Sequence, residues 1–359
     1  MKLSVRSESY NLDIPLERRL TIIRGDSGTG KTTLVDLIRE NSFDLNIESD
    51  YPVIVGDDTN YEAIIRGSFR NIIIFDDEDC VSTKKFASLY YEYAVENDLY
   101  FLLITREVLD SFDGVQRETL KQLSYSIDSI YELVSNGPNY SLRRFYNIPD
   151  YNASLECNSV LVEDSTSGYE FFLAFFTSLF SNMEVFSATN GKSSIVEDSL
   201  IHKDEILLVI VDCASFGCHV EEFYNMIVLR QHVYIINGYE CFEEFLLRTN
   251  MFRLNELVAS SFFDICNEAN RYNSWEKYFE NLINECTRNR GYRYTHSSKL
   301  RKCYLAPCNS CNQFIMSKCD YYDKTSTNKF MSLLVGTKYE RLLPEWLKHD
   351  NNSPVRIQI

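Results

Sequence analysis

Gly25-Asp26-Ser27-Gly28-Thr29-Gly30-Lys31-Thr32-Thr33 carries the most definite chemistry in this 359-residue sequence. The stretch fits G-x-x-x-x-G-K-[ST] at every defined position, a spacing that serves to hold phosphate. Glycines let main-chain N–H groups converge on anionic oxygens, so Gly25, Ser27, Gly28, Thr29, Gly30 and Thr33 surround the anion. Lys31 can reach the terminal phosphates, and the Thr32 hydroxyl can ligate Mg²⁺. Acids follow further on. Asp76, Asp77 and Glu78 end the apolar run Ile72–Phe75, Glu163 ends Val160–Val162, and Asp212 ends Ile206–Val211. Carboxylates delivered at the ends of buried strands can bind a hard cation.

The elements that must position these groups are legible around them. Leu20–Ile23 is a short apolar strand, and residues 31–40 place Leu34, Leu37 and Ile38 at helical spacing. A helix starting at the loop points its positive end at the same anion. Leu3 and Val5, then Tyr10, Leu12 and Ile14, alternate with polar residues as two strands, and Tyr51–Val55 is a third short run. Tyr100–Thr105 is a further strand leading into Arg106. Gly137-Pro138 and the polar run to Tyr151 read as a linker.

Over about residues 15–135 this arrangement resembles the signal-transduction ATPases and their AAA+ relatives, a branch of the P-loop NTPases. The resemblance rests on Gly25–Thr33, Ile72–Asp77 and Thr105-Arg106. It implies ATP as ligand, Mg²⁺ held by Thr32 and Asp76, an attacking water oriented by Asp77 or Glu78, and Arg106 as a γ-phosphate sensor.

The α/β pattern restarts after the linker. Residues 169–180 form an apolar helix, Glu184–Ala188 a strand, and Val233–Ile236 another, followed by Glu240 and Glu243. Lys192-Ser193 is no second phosphate loop, because the pattern requires glycine where Phe186 stands. Strand-acid, Gly-Lys, strand-Asp and a late Glu resemble the Toprim domain of topoisomerases, primases and related nucleases. The resemblance implies that Glu163 and Asp212, helped by Glu240 or Glu243, hold Mg²⁺ for phosphodiester chemistry, with Gly217 a further match. The family's usual D-x-D has Ala214 at its second acid, so a degenerate, inactive scaffold stands beside the active nuclease.

Phe252–Cys286 is aromatic and helical in period, and Arg288–Lys302 carries six Lys/Arg together with Tyr292 and Tyr294, a candidate surface for phosphates and stacked bases. Cys303, Cys308, Cys311 and Cys319 follow as C-x4-C-x2-C-x7-C. The central pair suits structural Zn²⁺, with His296 as alternative ligand, and buried thiols are the other reading.

Net charge of −16 excludes indiscriminate coating of nucleic acid, so contact with DNA or structured RNA must be local. No apolar run reaches membrane-span length, and eleven cysteines, an odd number scattered through 80–286 and clustered at 303–319, read as reduced thiols plus one metal-site candidate rather than a disulfide framework. The expectation is a cytoplasmic α/β protein, with homo-oligomers among its partners: a P-loop NTPase domain at 1–150, a Toprim-like domain at 151–250 and a helical, cysteine-bearing region at 251–359. The pairing resembles antiphage defence proteins that unite an ATPase with a Toprim nuclease. A nucleotide-sensing scaffold is the alternative, and a small-molecule kinase is disfavoured by the large second α/β unit.

Overall fold

The structure is a computed structural model. It describes residues 1–25, 28–40, 45–76, 79–105, 123, 125–126, 129–136, 139–144, 154–157, 159–179, 184–202, 207–219, 222, 233–237, 240–248, 262–289, 293–296 and 355–358. These form a mixed α/β protein in two compact units. One comprises Met1–Asn147, Ser215–Glu221 and Phe262–Ser274; the other comprises Ile148–Ala214, Glu222–Ser261 and Trp275–Ile359.

In the first unit the chain runs β1 (Lys2–Arg6), β2 (Asn11–Pro15), β3 (Leu20–Arg24), α1 (Lys31–Glu40), β4 (Asn46–Ser49), β5 (Val53–Val55), α2 (Tyr61–Gly67), β6 (Ile72–Asp76), α3 (Lys84–Tyr93), β7 (Tyr100–Thr105), β8 (Ile130–Asn136) and β9 (Asn139–Arg144). All nine strands form one mostly parallel sheet, ordered β4-β1-β2-β9-β8-β3-β7-β6-β5. β3, β6 and β7 are buried on both faces, as near-continuous apolar runs require in a parallel sheet.

Strands β4 and β5 lie at opposite ends of that order, yet only residues 50–52 join them. Three residues span at most about 14 Å between the flanking Cα atoms. Eight inter-strand steps laid flat would separate the same strands by about 38 Å. The sheet must therefore curl. Its concave side holds one core in which Leu34, Val35 and Ile38 of α1 meet Leu3, Val5, Leu12 and Ile14 from one half and Ile72, Ile74 and Leu102 from the other. On the opposite face the Phe86 ring packs edge-on against Phe75 and Phe101, and Tyr90 against Phe101. Thr83 caps the helix that delivers these rings, its hydroxyl accepting from the Phe86 N–H.

The linker expected from Gly137 to Tyr151 is corrected over its first part. β8 and β9 pair antiparallel with Asn136 opposite Asn139, and β9 also pairs with β2. A Gly-Pro step marks a turn, and here the chain on both sides of it is sheet. Asn46–Ser49 was not expected as a strand: it carries little apolar signal, and pairing with β1 sets its structure.

The second unit contains β10 (Ser154–Cys157), β11 (Ser159–Val162), α4 (Ser167–Leu179), β12 (Glu184–Ser187), β13 (Thr189–Lys192), α5 (Ile195–Ile201), β14 (Leu207–Val211), β15 (Val233–Asn237), α6 (Phe242–Arg248), α8 (Trp275–Thr287) and β16 (Val355–Gln358); α7 (Phe262–Ala269) belongs to the first unit. Strands β12-β11-β14-β15 pair in parallel throughout. β10 pairs antiparallel with β16. Phe171 and Phe172 of α4 lie against the Phe242 ring of α6, at 5.7 and 6.2 Å between centroids. Among the described residues no helix is long and apolar enough to cross a membrane.

Arg19, just before β3, holds the first unit together at the opposite end of that strand from the loop. It is buried, and its guanidinium donates to the Asn270 carbonyl at 2.6 Å, the Leu99 carbonyl at 3.0 Å and the Asp98 carboxylate at 3.2 Å. Asn270 returns a bond to the Glu17 carbonyl at 2.9 Å. Arg19→Met strands those acceptors, and thermal or urea denaturation is expected to show a loss of about 3 kcal/mol, the order found when one partner of a buried ionic network is removed.

Candidate functional site

Two sets of residues predicted from sequence are brought to strand ends, one in each unit. In the first, β3 pairs with β7 so that Arg24 faces Thr105, and β7 pairs with β6 so that Ile104 faces Asp76. All three strands therefore end on one edge, with Gly25 leaving β3 there. β7, β6 and β5 lie to one side of β3 and β8 to the other, the kind of switch point beside which ligands collect in parallel sheets. Asp76 stands two strands from β3, about 10 Å by inter-strand spacing.

The loop has the backbone that its glycines allow. Gly28 and Gly30 adopt φ of +85° and +93°, a region that favours glycine. At Gly30 there is no room either: a Cβ would lie 2.5 Å from the Tyr140 ring. Tyr140 stacks on buried Tyr10 with 4.0 Å between centroids, so β9 and the β1–β2 hairpin brace the loop from outside. Lys31 is buried, and its ammonium donates to the Gly25 carbonyl and, at 3.4 Å, to the Thr29 hydroxyl. Leu34 closes the first helical turn onto the Gly30 carbonyl at 3.0 Å. Thr32 and Thr33 are exposed and Asp76 is half-buried. This arrangement, with a buried ammonium, hydroxyls and one carboxylate on a shared edge, suits a Mg²⁺-bound polyphosphate. Ser27, Asp77, Glu78 and Arg106 lie outside the described residues. The Tyr10–Tyr140 brace was missed from sequence, because nothing local to either tyrosine signals the loop.

In the second unit β11 and β14 are neighbours, and the Glu163 N–H bonds the Ile210 carbonyl at 2.9 Å. The Glu163 side chain then accepts from the Asp212 N–H at 2.9 Å, so the Glu163 carboxylate lies against the main chain of Asp212 at one edge. Burial pushes the Glu163 carboxyl up to about 7, with Glu276 and Asp164 adding to the rise; the Asp212 N–H bond and the Lys192 charge act against it. Asp212 is raised well above its ordinary value by burial and by Glu163.

The side chains of Asp164 and Glu243 are committed elsewhere, and Glu240 is held through its main chain. Asp164 caps α4, accepting from the Thr166 and Gly168 N–H groups at 2.7 and 2.5 Å. The Glu240 N–H donates to Glu244 at 2.7 Å and its carbonyl accepts from Ala214 at 3.0 Å. Glu243 accepts from the Tyr294 hydroxyl at 2.5 Å and pairs with His296 Nδ1 at 3.0 Å. Those two bonds outweigh burial and lower the Glu243 carboxyl, while the same pairing raises His296 to about 9. Tyr294 is thus buried and bonded, which corrects its reading as a stacking platform. Tyr292 and the zinc candidates Cys303, Cys308, Cys311 and Cys319 lie outside the described residues. Gly217, expected in the Toprim-like domain, belongs instead to the first unit and gives its N–H to the Tyr125 carbonyl at 2.9 Å. Among the described residues no three His, Cys, Asp or Glu side chains converge as a ready metal centre.

Comparison of the chain with protein-family models, curated proteins and solved structures gives no match. The residues alone therefore carry the functional reading.

Gly30→Ala meets both the strained φ and the Tyr140 ring, so it is expected to lose about 1–3 kcal/mol of stability in thermal or urea denaturation while the far-ultraviolet circular dichroism stays native; parent-like stability contradicts the brace. Glu163 offers a second test, as a carboxyl whose folded pKa is raised from 4.5 to about 7. The folded state then binds more protons between those values, and stability is lost as pH rises through that window. Glu163→Gln removes the penalty, so its melting temperature should exceed the parent's at pH 8 and approach it at pH 5. The His296–Glu243 pair titrates alike in both proteins and cancels from the comparison.

Proposed function

We propose that this chain is an ATP-binding and ATP-hydrolysing effector of the antiphage-defence type, in which a P-loop NTPase unit is joined to a Toprim-like unit that binds or cleaves nucleic acid with Mg²⁺. One observation carries the nucleotide half: Gly30 in the left-handed region, packed under Tyr140, immediately before a helix whose first residue is buried Lys31. A loop so fixed turns N–H groups toward one point at a helix N-terminus, and both features favour polyphosphate. Lys31 neutralises charge on the terminal phosphates. Thr32 and Asp76 supply the oxygen ligands suited to Mg²⁺, which lends positive charge to the phosphoryl group being transferred. Asp77, Glu78 and Arg106 keep their proposed roles in orienting water and sensing the γ-phosphate.

For the nucleic-acid half, Glu163 and Asp212 are the donors that suit a divalent cation, since the edge brings them together and burial leaves their charges poorly solvated. A cation there would offset that repulsion and polarise a phosphodiester oxygen. A second reading, a nucleotide-sensing scaffold with an inactive Toprim-like unit, is favoured by a specific feature. Position 214 is alanine, and Glu243 is held by Tyr294 and His296, so neither of these positions offers a third carboxylate.

Lys31→Ala is expected to abolish binding of a labelled ATP analogue without unfolding the chain. Asp76→Asn should retain most binding and lose hydrolysis, because it disturbs Mg²⁺ geometry more than phosphate capture. Equal ATP affinity in Lys31→Ala and parent would remove the nucleotide reading. Metal-dependent cleavage of DNA or structured RNA that disappears in Glu163→Ala and Asp212→Ala selects the nuclease over the scaffold.

A further inference from the structure

The β8–β9 hairpin stands above the edge on which the phosphate loop lies. Glu132 of β8 is level with Arg24, the last residue of β3, and Tyr140 of β9 pairs with Ser135, three residues further along β8. Three residues of strand rise about 10 Å, so the hairpin forms a wall beside the loop. It approaches the loop in two places. A Cβ on Gly25 would lie 3.4 Å from the Leu133 carbonyl, and one on Gly30 would lie 2.5 Å from the Tyr140 ring. Tyr140 is half-buried between exposed Asn139 and Ser141, whereas Tyr10 is fully buried. Tyr10 covers one face of the Tyr140 ring, with 4.0 Å between centroids and 22° between planes. The Tyr140 ring is thus held in place beside the loop, and the residue keeps part of its surface open.

Resting on the nucleotide half of the proposed function, we infer that the base of the bound nucleotide stacks on Tyr140, and that the site thereby favours purine nucleotides. The sheet order sets the direction. Asp76, the proposed Mg²⁺ ligand, lies two strands from β3 on the β7–β6 side, and Tyr140 lies two strands from β3 on the β8–β9 side. A nucleoside triphosphate carries its terminal phosphates at one end and its base at the other. With its phosphates in the loop and the terminal ones drawn toward Asp76, its nucleoside end leaves toward β9. There it meets an aromatic ring. Every base has a π-face for such a ring, and the two rings of a purine offer it more area than a pyrimidine does. A ring already fixed by Tyr10 gives up little freedom on binding, which favours the stack. Tyr140 would therefore contribute affinity through the base, separately from the phosphates held by Lys31.

The test is calorimetric titration of the whole chain at fixed Mg²⁺ with β,γ-imido ATP, its uridine counterpart and inorganic tripolyphosphate. The parent should bind the adenine nucleotide most tightly and tripolyphosphate least. Tyr140→Leu should weaken the adenine nucleotide on the order of tenfold, as expected for one lost base–aromatic stack, and leave tripolyphosphate within about twofold. It should also erase the preference over the uridine nucleotide. Tyr140→Phe, which keeps the ring, should match the parent. A ring that only braces the loop would weaken all three ligands together in Tyr140→Leu, and that result overturns the inference while the nucleotide reading stands. Parent-like affinities in Tyr140→Leu do the same, as does a parent that binds the adenine nucleotide no more tightly than tripolyphosphate. A parent that binds none of the three overturns the nucleotide reading and the inference with it. Melting curves check folding, and Tyr140→Trp gives an independent reading if Tyr140→Leu is unstable. Its added fluorescence, measured over the parent's two tryptophans, should be quenched by the adenine nucleotide and not by tripolyphosphate. An equal response to both overturns the stack.

Discussion

Parallel pairing without stagger is the constraint on which both candidate sites depend. When adjacent parallel strands are in register, their carboxyl ends share an edge, and the residues just past them become neighbours regardless of separation in sequence. In the first unit that rule gathers Gly25, Thr105 and Asp76. In the second it sets Glu163 against the main chain of Asp212, 49 residues away. The price is burial of both sheet faces, and the sequence meets it with runs such as Ile72–Phe75 and Phe101–Ile104, which are fully covered.

The two edges differ in their surroundings. Around the loop, the curled sheet brings β9 and the first hairpin over Gly30, so the Tyr10–Tyr140 stack acts as a rigid wall. The loop conformation is thereby fixed by packing as well as by glycine. At the other edge the wall is electrostatic. Glu163 and Asp212 are raised by burial, Glu243 is lowered by Tyr294 and His296, and Asp164 is consumed in capping a helix. These acids crowd one region, and Asp164, Glu163 and Glu243 are held to separate tasks by their hydrogen bonds.

Much of the scaffold was legible in the sequence. The helix at 31–40 and the strand at 100–105 have the expected bounds, because a ten-residue amphipathic pattern and a six-residue apolar run admit few alternatives. The strands ending in Asp76, Glu163 and Asp212 were likewise marked by apolar runs stopped by acids. Less legible were β4, β8 and β9, whose residues carry weaker patterns and become strands by pairing with partners distant in the chain. A turn signal such as Gly-Pro says that the chain reverses or breaks; it does not say whether the next segment is a linker or a strand.

The sequence by itself determined the chemistry on offer: a glycine-lysine loop between a strand and a helix, acids at strand ends, and a basic run in an acidic chain. Those are properties of residue type and short spacing, which no folding can alter. Only the tertiary structure decided which groups would meet and which were already engaged. Tyr294, open to stacking as a residue type, is buried against Glu243, and Glu243, a ligand candidate by position, is taken by Tyr294 and His296. Tyr10 and Tyr140, unremarked in the sequence, wall the loop. The reason is that a side chain's partners are set by packing between elements distant in sequence, and hydrogen-bonding capacity spent on one partner is withdrawn from every other.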